Sequence, residues 1–127
     1  MTTAAIVAAA LAAFPAPGCQ DAAGRDLRAL HYGTAADLEI DAAHGSRARG
    51  MGGGSRPCEL WVRTGLGANR DVTVFHEAAH TAGYQHGPEM TRAVRRAVLH
   101  YRRRLDRPAP NQRHGRGRIG GDGSVSF

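Results

Sequence analysis

At 127 residues and 13.5 kDa the chain has room for one domain with a small core, and alanine supplies much of its 42% apolar content, so large side chains are scarce. The net charge of +6 is unevenly placed: residues 1–90 carry 7 Arg against 9 acidic residues, while residues 91–127 carry 10 Arg against 2. Two cysteines are too few for a zinc knuckle, and no apolar run is long enough to span a membrane.

The chain opens with Ile6, Val7, Ala10, Leu11 and Phe14 at helical spacing behind Thr2 or Thr3, which predicts a capped first core helix. The same run from Ala4 to Phe14 resembles the apolar part of a signal peptide, but no Lys or Arg precedes it, so the helix reading is preferred. A core helix goes with a cytoplasmic setting; a signal would mean secretion. Pro15-Ala16-Pro17-Gly18 then stops the helix in a turn. Cys19 and Cys58 form one disulfide, bury separately as small apolar groups or take no part, according to compartment.

Leu27 to Tyr32 reads as a short strand. Asp37-Leu38-Glu39-Ile40-Asp41 alternates, which predicts a half-buried strand with Leu38 and Ile40 inward and three acids in solvent. From His44 to Ser55 the glycines Gly45, Gly50 and Gly52 to Gly54, mixed with Arg47 and Arg49, predict a mobile loop; it has no lysine and so no phosphate-cradling pattern. Glu59 to Thr64 alternates again, with Leu60 and Val62 on one side. Gly65 to Arg70 is a turn, and Asn69 or Asp71 caps the helix that follows.

In that helix Val72, Phe75, Ala79 and Ala82 form a face for the core. His76 and His80 lie about 100° round from it and about 6 Å apart along the axis, so both imidazoles can reach one metal ion. Glu77, on the rim of the same face, reaches a metal-bound water without becoming a ligand, the place of a general base. A continuing helix would point His86 about 120° away from the metal. Gly83 resolves this, because a left-handed glycine ends a helix and turns the chain back, returning His86 as third ligand. Three histidines with one open position is the catalytic form of a zinc site. From this composition the pattern arises by chance with a probability on the order of 10⁻⁴.

The stretch His76-Glu77-Ala78-Ala79-His80-Thr81-Ala82-Gly83-Tyr84-Gln85-His86 resembles the long zinc-binding signature of the metzincin metallopeptidases at every specified position. The resemblance implies zinc ligands His76, His80 and His86, general base Glu77, turn glycine Gly83 and a peptide or protein substrate. It also implies a zincin-like fold in which the strand before the active-site helix borders the cleft, making Glu59–Thr64 the candidate substrate-binding edge. Two features depart from the family. The only downstream methionine is Met90, which either replaces the methionine turn or is a core contact, and Glu89 is an alternative third ligand of another zincin branch. Tyr84 and Tyr101 are both candidates for an oxyanion-stabilising tyrosine, with no spacing that selects either.

Gly87-Pro88 opens a last helix whose apolar stripe is Ala93, Val94, Ala97, Val98, Tyr101 and Leu105. The remainder, from Asp106, is rich in Gly, Pro, Arg and Ser and predicts a disordered tail. The sequence thus predicts a single α+β domain over residues 1–105: a small sheet packed on an N-terminal helix and the active-site helix, followed by a C-terminal helix. The function expected is that of a zinc-dependent metallopeptidase. The alternative is a zinc-stapled binding module whose arginines, Arg92 to Arg107, contact nucleic acid.

Overall fold

The computed structural model describes residues 2–106, an α+β arrangement of four helices and a three-stranded mixed sheet. In chain order these are α1 (Thr3–Ala13), β1 (Ala29–Tyr32), α2 (Thr34–His44), β2 (Gly50–Gly53), β3 (Arg56–Val62), α3 (Arg70–Thr81) and α4 (Pro88–Leu105). The tail expected to be disordered lies, from residue 107, outside the described residues. Among the described residues no helix is long and apolar enough to cross a membrane.

Helix α3 is the centre of the molecule. It packs on β2 and β3 on one side and on α1 and α4 on the other. Its Val72, Val74, Phe75, Ala78 and Ala79 are buried with Ile6, Ala10 and Phe14 of the N-terminal segment, Leu60 and Val62 of β3, and Met90, Val94, Val98 and Tyr101 of α4. Thr2 caps α1 by accepting a hydrogen bond from the Ala5 amide at 3.1 Å. Of the expected α4 stripe only Leu105 stands in solvent, 51% exposed. Cys19 and Cys58 form a disulfide that ties the turn after α1 to β3.

Three expectations are corrected. The segment Asp37–Asp41 is helical, part of α2 between Gly33 and Gly45. Five alternating residues are too few to separate a strand from a helix, and the flanking alanines, good helix formers, decide it. Ala36 and Ile40 are buried one helical turn apart, whereas Leu38 is 65% exposed. The three acids do reach solvent, and each also has a partner: Asp37 accepts from the Thr64 amide, Glu39 pairs with Arg56 at 2.7 Å and Asp41 with Arg63 at 2.8 Å.

The second correction concerns the glycine run, which is strand β2 and not a mobile loop. Glycine is used there because α3 lies against it. A Cβ on Gly50 would come within 2.5 Å of the Trp61 carbonyl oxygen and 3.1 Å of the Glu77 carboxylate, and one on Gly52 within 2.8 Å of the Glu77 carbonyl. The third follows from the strand order β1-β3-β2. The expected substrate-binding edge, Glu59–Thr64, is mostly β3, which is paired in parallel with β1 and antiparallel with β2. Its backbone is taken on both sides. Strand β2 is the edge that lies beside α3.

Candidate metal centre

The three histidines come together as the spacing predicts. The Nε2 atom of His86 lies 3.2 Å from that of His76 and 3.1 Å from that of His80, and one ring nitrogen from each histidine falls within a 4.8 Å cluster. Nitrogens about 2 Å from one zinc ion at tetrahedral angles are about 3.3 Å apart, and both distances from His86 fit such an ion. His76 and His80 project from successive turns of α3.

His86 arrives through a chain reversal that the sequence encodes at Gly83. Gly83 has φ +100°, its amide donates to the His80 carbonyl at 3.0 Å, and the Tyr84 amide donates to the Ala79 carbonyl at 3.0 Å. This pair of bonds is the Schellman ending of a helix, with glycine at the left-handed position. The reversal has a second effect. It places the Tyr84 carbonyl 2.9 Å from His80 Nδ1. With Nδ1–H donating there, the lone pair of His80 sits on Nε2 and faces the other two histidines, the usual outer hydrogen bond of a metal-binding imidazole.

Electrostatics keep the donors ready for a cation. Burial, reinforced by His80 and His86, pulls the His76 imidazolium down to about 4. Burial also lowers His80, with the Tyr84 carbonyl acting in the opposite sense. Both rings are therefore neutral at pH 7, the form that binds metal. Glu77 is 5% exposed, and burial pushes its carboxyl up to about 8. An ionised carboxylate in so dry a place calls for an opposite charge beside it.

The histidines and Glu77 line one side of a cavity of about 740 Å³. Gly50 and Gly52 of β2 form another side, and Val72, Met90 and Val94 are among its apolar lining residues. Met90 lies in the first turn of α4, 2% exposed and part of the core cluster, so it is a helical core contact rather than a turn methionine. Glu89 is exposed and lies outside the histidine cluster. Neither tyrosine borders this cavity: Tyr84 packs edge-on against Phe14, and Tyr101 is buried against Phe75.

The sequence reading missed His44, Arg47, Arg49, Gly50 and Gly52 as cavity residues. Alternation cannot reveal a strand whose inward positions carry no side chain, and an arginine flanking such a strand reads as solvated. Two other histidines stand apart from the trio: His31 stacks on Trp61 with ring centres 3.9 Å apart, and His100 is exposed on α4. Comparison with protein-family models, with curated proteins and with solved structures returned no match to this chain.

Proposed function

We propose that the chain is a zinc-dependent metallopeptidase, a minimal and divergent metzincin-like member built on a zincin-like α+β domain. The observation that carries this reading is the approach of His86 Nε2 to the Nε2 atoms of His76 and His80, at 3.2 and 3.1 Å, beside a buried glutamate in one open cavity. His76, His80 and His86 would hold the ion, with His80 oriented by the Tyr84 carbonyl. A bound zinc ion supplies Lewis acidity, lowering the pKa of water to about 7 and polarising a peptide carbonyl.

The residues do the rest. Glu77, whose carboxyl sits at about 8 with no cation nearby, ionises more readily beside a positive charge and becomes a base working near neutral pH. It takes the proton of the attacking water and hands it to the leaving amine. A substrate backbone can extend along β2, the edge strand beside α3, where unpaired main-chain groups accept an added strand.

A nucleic-acid-binding module draws support from the exposed Arg92, Arg96, Arg103 and Arg104 of α4. That reading gives Glu77 no role, since a structural zinc site has no use for a buried carboxyl against its ligands. The test is cleavage of casein by zinc-loaded protein and by Glu77→Gln. The variant is expected to keep its zinc and lose activity by about 10²-fold or more. Undiminished cleavage by the variant, or no cleavage by the zinc-loaded wild type, would contradict the proposal.

A further inference from the structure

Six arginines precede α3, not counting its first residue Arg70, and four of them are neutralised at close range. Arg25 meets Asp21 at 2.7 Å, Arg28 meets Asp26 at 2.6 Å, Arg56 meets Glu39 at 2.7 Å and Arg63 meets Asp41 at 2.8 Å. Arg47 and Arg49 differ: among the described residues neither has a carboxylate within 4.0 Å. These two are also the arginines that line the cavity of the histidine trio. Among the described residues the only carboxylate lining that cavity is Glu77, which is buried on the α3 side.

The segment that carries them is fixed in place. Arg63, just after β3, donates from Nε to the Ala48 carbonyl at 2.7 Å and from its guanidinium to the Gly45 carbonyl at 3.2 Å, and its amide donates to the Arg49 carbonyl at 2.9 Å. Asp41 holds the same guanidinium from α2. One residue thus secures three carbonyls on either side of Arg47. The next residue, Gly50, lies against the Glu77 carboxylate, so the cationic segment runs directly into the wall of the site.

We infer that Arg47 and Arg49 form a carboxylate-recognition subsite of this cavity and that, on the peptidase reading on which the substrate assignment rests, the preferred substrates carry Asp or Glu next to the scissile bond. Two guanidiniums with no carboxylate partner among the described residues offer charge-assisted, fork-shaped donors to a carboxylate, which amides and hydroxyls match poorly. The cavity's apolar lining around Val72, Met90 and Val94 takes the carbon part of such a residue. A carboxylate can come from a side chain or from a peptide C-terminus, and the side chain is assigned because the edge of β2 lets the chain continue past the site.

The test is a binding measurement that needs no turnover. Fluorescein-labelled peptides of one sequence, with Glu or Gln at a single internal position and with a free or amidated C-terminus, are titrated by anisotropy onto zinc-loaded Glu77→Gln protein. The Glu peptide is expected to bind about tenfold more tightly than the Gln peptide, with a preference that shrinks as salt is raised and is indifferent to C-terminal amidation. Arg47→Glu/Arg49→Glu abolishes the preference and Arg47→Gln/Arg49→Gln reduces it, both with wild-type circular dichroism. Arg92→Glu/Arg96→Glu, on exposed positions of α4 away from the cavity, leaves it intact. Equal binding of the Glu and Gln peptides, or a preference that survives reversal of both arginines or disappears equally with the α4 pair, overturns the inference. A preference that follows the terminal carboxylate overturns the side-chain assignment. Selective binding with no cleavage by wild-type protein would leave the subsite standing and remove the peptidase reading instead.

Discussion

Glu77, with 5% of its surface in water, is the most buried of the site's ionisable residues, and glycines of β2 lie against it. Gly52 lets the β2 backbone rest on the Glu77 carbonyl, where a Cβ would stand 2.8 Å away. Gly52→Ala is therefore expected to cost about 2 kcal/mol in urea unfolding, as overpacking of backbone against backbone does. Gly18→Ala, where a Cβ meets nothing within 4 Å, should change stability by less than about 0.5 kcal/mol. Equal effects would contradict the close packing of β2 on α3. Glu77 and His76 also leave opposite pH signatures in metal-free protein. The His76 pKa falls from 6.5 to about 4, so its contribution to stability is present above 6.5 and lost as pH drops toward 4. That of Glu77 rises from 4.5 to about 8, so its contribution is present below 4.5 and lost as pH climbs through 8. The trends oppose each other between 4.5 and 6.5, and only the Glu77 loss continues from 6.5 to 8. Unfolding in chelator should show stability falling over that last interval by on the order of 2 kcal/mol, and Glu77→Gln should remove the fall. A fall unchanged in the variant would show that Glu77 is not buried as described.

Elements reach the site through a few polar anchors. The buried Arg28 guanidinium donates to the Phe14 carbonyl at 2.6 Å, the Leu11 carbonyl at 3.1 Å and Thr81 Oγ1 at 2.9 Å, joining the end of α1 to the end of α3 one residue past His80. Arg28→Ala strands these groups and Asp26, and is expected to destabilise the fold by about 3 kcal/mol by urea titration, with a loss under 1 kcal/mol contradicting the anchor. At the other end of α3, Arg102 of α4 holds the buried Asp71 at 2.7 Å. Neither anchor is legible in sequence, because the bonds that tie them to α3 join residues 53 and 31 apart. What was legible has a local cause. The period of α3, the left-handed glycine after it and the proline opening α4 each act within a turn or two, and together they deliver all three histidines. Strand order, by contrast, depends on which segments meet, so the edge beside the site passed to β2 from the segment whose alternation was plain. The α2 helix was misread for a related reason: Ala36 and Ile40 bury only once β1 and β3 are in place beside them.

The whole molecule is small, its core rests on a handful of large side chains led by Phe75, Ile6 and Ile40, and a disulfide reinforces it. The Cys19–Cys58 disulfide closes a loop of 39 residues' separation, and its reduction should cost about 4 kcal/mol in chain-entropy terms, read as a drop in the unfolding midpoint with reductant. An unchanged midpoint would mean the bond adds nothing to the fold. A metal ion held by His76, His80 and His86 would act as a second cross-link, since it would bind the folded arrangement of α3 and the reversed chain and not the unfolded chain. The central claim, that His76, His80 and His86 make one zinc site, is tested most directly by the zinc content of purified protein, measured by atomic emission on wild type, His86→Ala and Glu89→Ala. The expected result is one zinc per chain in wild type and in Glu89→Ala, and none retained by His86→Ala after dialysis; a wild type that takes up no zinc, or a His86→Ala protein that keeps it, would contradict the account.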